Sequence, residues 1–307
     1  MQGIEKRSGT IVEAMGSSFK VISNKEVLEC FLRGKFRIAD DAGIYPVVGD
    51  DVDLIVADDG CWIDKIHHRR SKISRQEVDS NGRKEQVIIA NLQICVIVTS
   101  VNEPPFKPRL VDRTLVSALK GGLKPIIVLN KCDLNMEFKL RFWKELYEGI
   151  GYTFIPTSAV TGEGVIALKN LLVHNISVFI GQSGVGKSSL LNRIHPGLEI
   201  AAKQVSQATS KGRHTTTRVT MHPIEHDGFV VDTPGLRELG LWDVNKSELG
   251  WFYEEFRSFI AECKFRDCLH ISEPGCAVRN AVTQNKISEV RFESYSRILE
   301  SIKETEF

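Results

Sequence analysis

The stretch ISVFIGQSGVGKSSLLNRI, residues 176–194, decides how the rest of the chain is read. Ile176 to Ile180 is a short apolar run of strand type. It passes directly into Gly181, Gln182, Ser183, Gly184, Val185, Gly186, Lys187, Ser188 and Ser189, and then into helical LLNRI. This is G-x-x-x-x-G-K-S between a strand and a helix, the context in which glycines let backbone amides turn inward on phosphate oxygens and the helix N-terminus adds its dipole. Lys187 is placed to reach the β- and γ-phosphates, and the Ser188 hydroxyl to ligate magnesium. A glycine-rich turn with an incidental lysine would not need the flanking strand and helix.

Downstream, FVVDTPG at residues 229–235 puts Asp232 at the end of an apolar strand, where a carboxylate can hold the hydration shell of magnesium, and lets Gly235 offer its amide to the γ-phosphate. Alone, Asp followed by Pro-Gly is an ordinary turn. Between the two motifs lies SKGRHTTTRVT, residues 210–220. One of Thr215, Thr216 and Thr217 is expected to complete the magnesium shell; Thr216 is the candidate, although spacing does not choose among them, and a plain surface loop or edge strand is the alternative. Leu236 stands where many GTPases place the glutamine that orients attacking water, and leucine cannot hydrogen-bond it. His214 is the nearest candidate in sequence for that task, the alternative being a packing or phosphate contact.

Upstream, PIIVLNKCD at residues 125–133 sets Asn130, Lys131, Cys132 and Asp133 just past a buried strand, in the N-K-x-D pattern of guanine-binding proteins, with Cys132 at its variable position. An ionised Asp133 only accepts hydrogen bonds, so it suits the N1–H and 2-amino donors of guanine. Adenine offers neither, and the mismatch argues against a P-loop kinase or ATP-driven motor. Thr157, Ser158 and Ala159 follow another strand and look like the short S-A element whose backbone also touches guanine. Small GTPases ordinarily run phosphate loop, switches, N-K-x-D, S-A. Here the last two come first, so the domain is read as circularly permuted with nothing missing, a change that leaves a loop cluster on one sheet edge intact.

The remaining text frames this domain. A chain of 307 residues with 42% hydrophobic content exceeds one compact domain. Lys plus Arg total 40 against 39 Asp plus Glu, so only local clustering could mark a polyanion partner. The N-terminus lacks a signal-peptide pattern and no run of about 18 apolar residues occurs, so a cytoplasmic protein with no membrane association is expected. Five strand-like runs before Ile66 suggest an OB-like barrel over residues 1–70, a fold whose face often binds oligonucleotides. KIHHRRSKISR, from Lys65 through Arg69, Arg70 and Lys72 to Arg75, carries no acid and is the candidate RNA contact, the alternative being a solvated charged linker. Residues 71–86 read as a linker or loop, 87–242 as the permuted, mostly parallel α/β GTPase domain, and 243–307 as a helical C-terminal domain. Of seven cysteines, Cys263, Cys268 and Cys276 cluster with His270 as C-x4-C-x-H-x5-C, a set for one structural tetrahedral zinc. Cys30, Cys61 and Cys95 read as small core residues.

With NKCD, GQSGVGKSS, GRHTTT, DTPG, the VVGDDV run at 47–52 and CKFRDCLHISEPGCAV at 263–278 all in order, the chain resembles the RsgA/YjeQ family of circularly permuted GTPases over nearly its whole length. The resemblance implies an N-terminal OB domain, a permuted GTPase domain and a C-terminal zinc domain, acting with GTP and magnesium in late maturation of the small ribosomal subunit, with the subunit and its rRNA as partners. A GTPase that binds that RNA, with hydrolysis driving release, is the leading expectation, and a GTP-stabilised RNA-binding scaffold with incidental hydrolysis is its rival. A monomer is expected. One departure is local: the family usually carries an Asp-Gln pair shortly after the asparagine of its first α/β strand, whereas Asn91 is followed by Leu92, Gln93 and Ile94.

Overall fold

The computed structural model describes residues 4–32, 45–79, 82–134, 137–196, 219–232 and 241–302. Five strands open the chain: β1 (Glu5–Met15), β2 (Ser18–Ser23), β3 (Glu26–Leu32), β4 (Asp51–Ala57) and β5 (Gly60–Ile66). Strand β1 pairs antiparallel with both β2 and β4, β2 with β3, and β4 with β5. A parallel seam between β3 and β5, with Phe31 opposite Trp62 and Leu32 opposite Ile63, closes the barrel. The alternation that marks these strands in the sequence puts Ile11, Phe19, Val21, Cys30, Val52, Leu54 and Ile63 inside.

The VVGDDV run joins this barrel to the chain around Ile89 and Ala90. Val48 bridges to Ile89 and its carbonyl accepts from the Ala90 amide, while Gly49 donates to Ile11. A side chain at Gly49 is excluded, because its φ is +92° and an added Cβ would lie 1.9 Å from the Ala90 carbonyl oxygen. Asp50 is fully buried and takes two hydrogen bonds from Arg69, at 2.7 and 2.8 Å.

Residues 71–86, read from the sequence as a linker, form most of an antiparallel ribbon of β6 (Lys72–Asp79) and β7 (Gly82–Ala90). At its base Ile73 faces Ile89 and both are buried. A two-stranded ribbon with little to cover has no reason to alternate apolar and polar residues, so its text resembles a loop.

From Ile94 the chain winds a doubly covered α/β sheet: β8 (Ile94–Ser100), α1 (Pro108–Lys120), β9 (Lys124–Asn130), α2 (Glu137–Gly149), β10 (Thr153–Pro156), α3 (Val165–Leu172), β11 (Ile176–Ile180), α4 (Lys187–Ile194), β12 (Thr220–Ile224) and β13 (Gly228–Asp232). The strand order is β10-β9-β8-β11-β13-β12, parallel except for β12. Strand β8 is buried on both faces, which is why it reads as an unbroken apolar run. Cys95, Ile97, Ile127 and Leu129 pack with Val111, Leu115 and Tyr147 of α1 and α2; Val96, Val98 and Val128 pack with Leu168, Leu190 and Ile194 of α3 and α4. At the antiparallel edge Thr220 of β12 pairs with Glu13 of β1, so barrel and sheet are hydrogen-bonded into one surface.

The C-terminal part is helical: α5 (Lys246–Leu249), α6 (Arg257–Ile260), α7 (Ala277–Thr283) and α8 (Glu289–Ser301). Its core holds Tyr253, Phe256, Ile287, Tyr295, Ile298 and Leu299, joined by Val116 of α1. Through this contact the domain rests on the GTPase part.

Candidate functional site

Parallel strands put their carboxyl ends on one side, so Ser100, Asn130, Pro156, Ile180 and the backbone of Asp232 end at the same edge of the sheet, where open α/β folds bind ligands. The loops after β9, β10 and β11 carry the motifs read from the sequence.

In the loop after β11, Gly181, Gly184 and Gly186 have φ of +158°, +83° and +93°. An added Cβ at Gly181 would lie 2.0 Å from the Val98 carbonyl oxygen, and one at Gly186 would lie 2.3 Å from Nδ2 of Asn130. These positions therefore admit glycine alone. Val185 is buried and anchors the loop; Gln182, Lys187 and Ser188 are half-buried, and Ser183 and Ser189 exposed. The Lys187 ammonium donates to the carbonyls of Gly181 and Gln182, at 2.6 and 2.9 Å, and so lies over the loop that would cradle phosphate. Ser188 is in the first turn of α4, whose free amides face the same space.

Asn130 is almost fully buried and its side chain is spent on protein. Its Nδ2 donates 2.8 Å to the Val185 carbonyl, while its Oδ1 accepts from Thr157 Oγ1 and from the Ala159 amide, each at 3.2 Å. One amide thus ties the N-K-x-D loop, the S-A loop and the phosphate loop together. Lys131 donates to the Glu103 carbonyl, which ties in a fourth loop, the one between β8 and α1. Asp133 is exposed and free to meet a base; its Oδ1 accepts 2.6 Å from Ser158 Oγ, which fixes the carboxylate's direction. Cys132 turns away and donates to Leu129 O, and burial pushes its thiol up to about 11.

His214, Thr215, Thr216, Thr217, Gly235 and Leu236 lie outside the described residues, and of Asp232 only the backbone is described.

In the C-terminal domain the donor atoms of Cys263, Cys268, His270 and Cys276 lie within 4.8 Å of one another. His270 Nδ1 is 3.5 Å from the sulfurs of both Cys263 and Cys276, and those sulfurs are 4.0 Å apart. A zinc tetrahedron with about 2.3 Å bonds to sulfur and about 2.0 Å to nitrogen has edges of about 3.5 Å (S···N) and about 3.8 Å (S···S), so the set fits. Burial pushes the Cys268 thiol up to about 12 and the Cys276 thiol upward, and holds His270 toward its neutral form. Thiols in such a place become ionised donors only opposite a cation. Glu273, which the sequence does not single out, shapes the loop: its carboxylate accepts from the amides of Leu269, Ile271 and Ser272, at 2.7, 2.9 and 3.0 Å. Carboxylate-to-amide spacing within five residues is the only signal the sequence carries for it.

The basic run divides. Lys65, Arg70, Lys72 and Arg75 are exposed, and Arg70 and Lys72 hold surface ion pairs with Asp51 and Glu85. Arg69 is committed elsewhere: only 13% of its side chain is exposed, and it neutralises buried Asp50 and donates to the Tyr45 carbonyl. Moving Arg69 would leave a buried carboxylate unpaired, so its first role is in holding the barrel together.

An RsgA GTPase family model matches residues 66–242, and an RsgA N-terminal domain model matches residues 8–61. This chain belongs to the RsgA GTPase family. RsgA relatives span it almost end to end. A small ribosomal subunit biogenesis GTPase RsgA of Bacteroides fragilis (strain YCH46) is 37% identical over 305 residues, covering 97% of this chain and 98% of its own. The protein of the same description from Gemmatimonas aurantiaca is 38% identical over 302 residues, covering 96% and 97%. Among solved structures, YjeQ from Thermotoga maritima is similar with a TM-score of 0.78 at 34% identity, over 97% of this chain and 98% of that one. YloQ, described as a circularly permuted GTPase, gives 0.74 at 30% identity over 99% and 98%. The chain is therefore a GTP hydrolase with a five-stranded barrel ahead of a permuted GTPase domain. Among its described residues no helix is long and apolar enough to cross a membrane.

Proposed function

We propose that this GTPase acts in biogenesis of the small ribosomal subunit, binding the subunit's RNA while GTP is bound and leaving after hydrolysis. The observation that carries the nucleotide half is Asn130, which holds the guanine loop and the phosphate loop to one another. The ribosomal half rests on relatives that share nearly the full length and carry that description.

In this reading Asp133 accepts from guanine N1–H and the 2-amino group, with Ser158 holding its orientation. The amides of Gly181 to Ser189 surround the phosphates, and Lys187 leaves its two loop carbonyls to meet the β- and γ-oxygens. Magnesium, when bound, neutralises charge developing between those phosphates. Ser188 would hold it, with Thr216 and Asp232 as further candidates, and Gly235 would donate to the γ-phosphate. His214 is proposed to orient the attacking water. Cys263, Cys268, His270 and Cys276 hold one structural zinc. RNA contact runs through the barrel and Lys65, Arg70, Lys72 and Arg75, on a monomer whose domains divide near residues 70, 87 and 242.

Turnover of GTP and of ATP, each measured with and without purified small subunits, tests the reading. Stimulation of GTP turnover alone is expected; equal rates with and without subunits would leave a scaffold that hydrolyses incidentally. For the RNA contact, Lys65→Ala with Arg70→Ala and Arg75→Ala should weaken subunit binding and flatten its salt dependence by roughly one unit per lost phosphate contact. Unchanged affinity and slope would return the run to a solvated surface. GTP affinity should survive in either case.

A further inference from the structure

Strand β3 runs parallel to β5 at the seam that closes the barrel, and the register placing Phe31 opposite Trp62 places Cys30 opposite Cys61. Register partners on neighbouring strands share a face, and here that face is the barrel interior: Cys30 is fully buried and Cys61 is 6% exposed. Neighbouring strands lie about 4.8 Å apart, inside the range of about 4.4–6.8 Å between α-carbons that a disulfide spans. The two sulfurs are 2.7 Å apart, closer than two sulfurs rest without sharing a proton or a bond. Both cysteines are free thiols.

We propose that Cys30 and Cys61 are a redox modification site, at which a peroxide converts the thiol pair into a disulfide that staples the seam of the barrel. This goes beyond the nucleotide and metal chemistry and does not rest on either. The order of events follows from the surroundings. Cys61 reacts first: it has the residual exposure, and both the Cys30 thiol and the positive charge of Arg7 favour its thiolate against the burial that raises it. Cys30 is pushed up more strongly by burial and by the neighbouring Cys61. The Cys61 thiolate attacks one peroxide oxygen, the O–O bond breaks, and water leaves as the other oxygen takes a proton, giving the sulfenic acid. The Cys30 sulfur then attacks that sulfur, an S–S bond forms, and the sulfenic oxygen departs as a second water with the Cys30 proton. Two thiols and one hydrogen peroxide become one disulfide and two waters; sulfur is oxidised and peroxide oxygen reduced.

The site matters because it sits on the seam that closes the barrel, where the described residues make two register pairs, against six between β2 and β3. A bond there closes a long loop of chain and adds a covalent link to the main-chain pairing of the seam. Burial makes the reaction slow, and the same burial shields the product from bulky reductants.

The experiment uses the full chain with its zinc. Protein is exposed to hydrogen peroxide, the excess is destroyed, free thiols are blocked under denaturing conditions, and peptides are mapped by mass. The expected result is a peptide joining Cys30 to Cys61, lighter than the two thiol peptides by two hydrogens, with the barrel's unfolding midpoint raised by roughly 5 °C. Cys30→Ala should stop the reaction at a Cys61 sulfenic acid that dimedone captures. Recovery of Cys30 and Cys61 as blockable thiols after oxidation, or a bond from either to another cysteine, would overturn the proposal. So would failure of dimedone to label Cys61 in folded Cys30→Ala.

Discussion

The guanine-loop asparagine ties the protein's own loops together. By binding Val185 O, Thr157 Oγ1 and Ala159 N at once, Asn130 lets three loops hold one shape before nucleotide arrives. Asn130→Ala leaves the Val185 carbonyl and Ala159 amide without that partner, so GTP affinity should fall by roughly 10- to 100-fold, equivalent to about 1–3 kcal/mol, with no gain for other bases. Asp133→Asn acts differently, because it exchanges an acceptor for a donor opposite the base 2-position. GTP should weaken by roughly 100-fold or more, and xanthosine triphosphate should become the better ligand. Competition binding with both nucleotides checks the pair of variants: preserved guanine preference in Asp133→Asn would remove that residue from base recognition. The residue types and spacing of the loops are legible in the sequence because phosphate and guanine chemistry dictate them locally. The tie through Asn130 is not, since it depends on three segments far apart in the chain meeting at one sheet edge.

Two elements, the metal loop and the last helix, carry the C-terminal domain. Cys268 and Cys276 belong to its apolar core, so loss of metal would leave buried thiols where a neutralised cluster had been. A strong chelator should therefore melt the near-ultraviolet signal of this domain while GTP binding persists, and Cys268→Ser should purify with less than one zinc per chain. Glu273→Ala removes an acceptor shared by three amides and should loosen zinc retention without touching a ligand. Helix α8 brings in a charge that sequence alone would leave on the surface. Arg291 is 1% exposed, bonded to Asp112 of α1 and to Glu255, and stacked near Tyr253 with its guanidinium carbon 4.5 Å from the ring centre. Tyr147 of α2 donates to the same Asp112 at 2.8 Å. Arg291→Ala should cost about 3–5 kcal/mol, because Asp112 is left buried without its cation, and thermal unfolding would read it. The apolar stripe of α8 is legible from its spacing; a helical Arg looks the same in sequence whether it faces water or a buried carboxylate.

Across the whole molecule, barrel, ribbon and GTPase sheet share one junction. Asn91 donates 2.9 Å to the Gly49 carbonyl and accepts 2.9 Å from the Arg70 amide, so it clamps the barrel to the start of the α/β domain. Gly49 sits against Ala90 with no room for a side chain, and Gly49→Ala should destabilise the barrel by about 2–4 kcal/mol, measurable as a lowered first transition in a thermal scan. The barrel and the permuted order are legible because each strand and motif announces itself locally. The ribbon and the junction are not, since a polar two-stranded element and a lone glycine acquire meaning only from what they touch. The pairing of Glu13 with Thr220 has a further consequence, for solubility. A parallel sheet has two open margins, each a template for a foreign strand. One margin ends in β10, only four residues long and finishing in Pro156, which offers no amide to an intruder. The other, β12, is met by β1 of the same chain. A GTPase domain released from residues 1–66 would present β12 bare, and its natural next partner would be the β12 of another molecule.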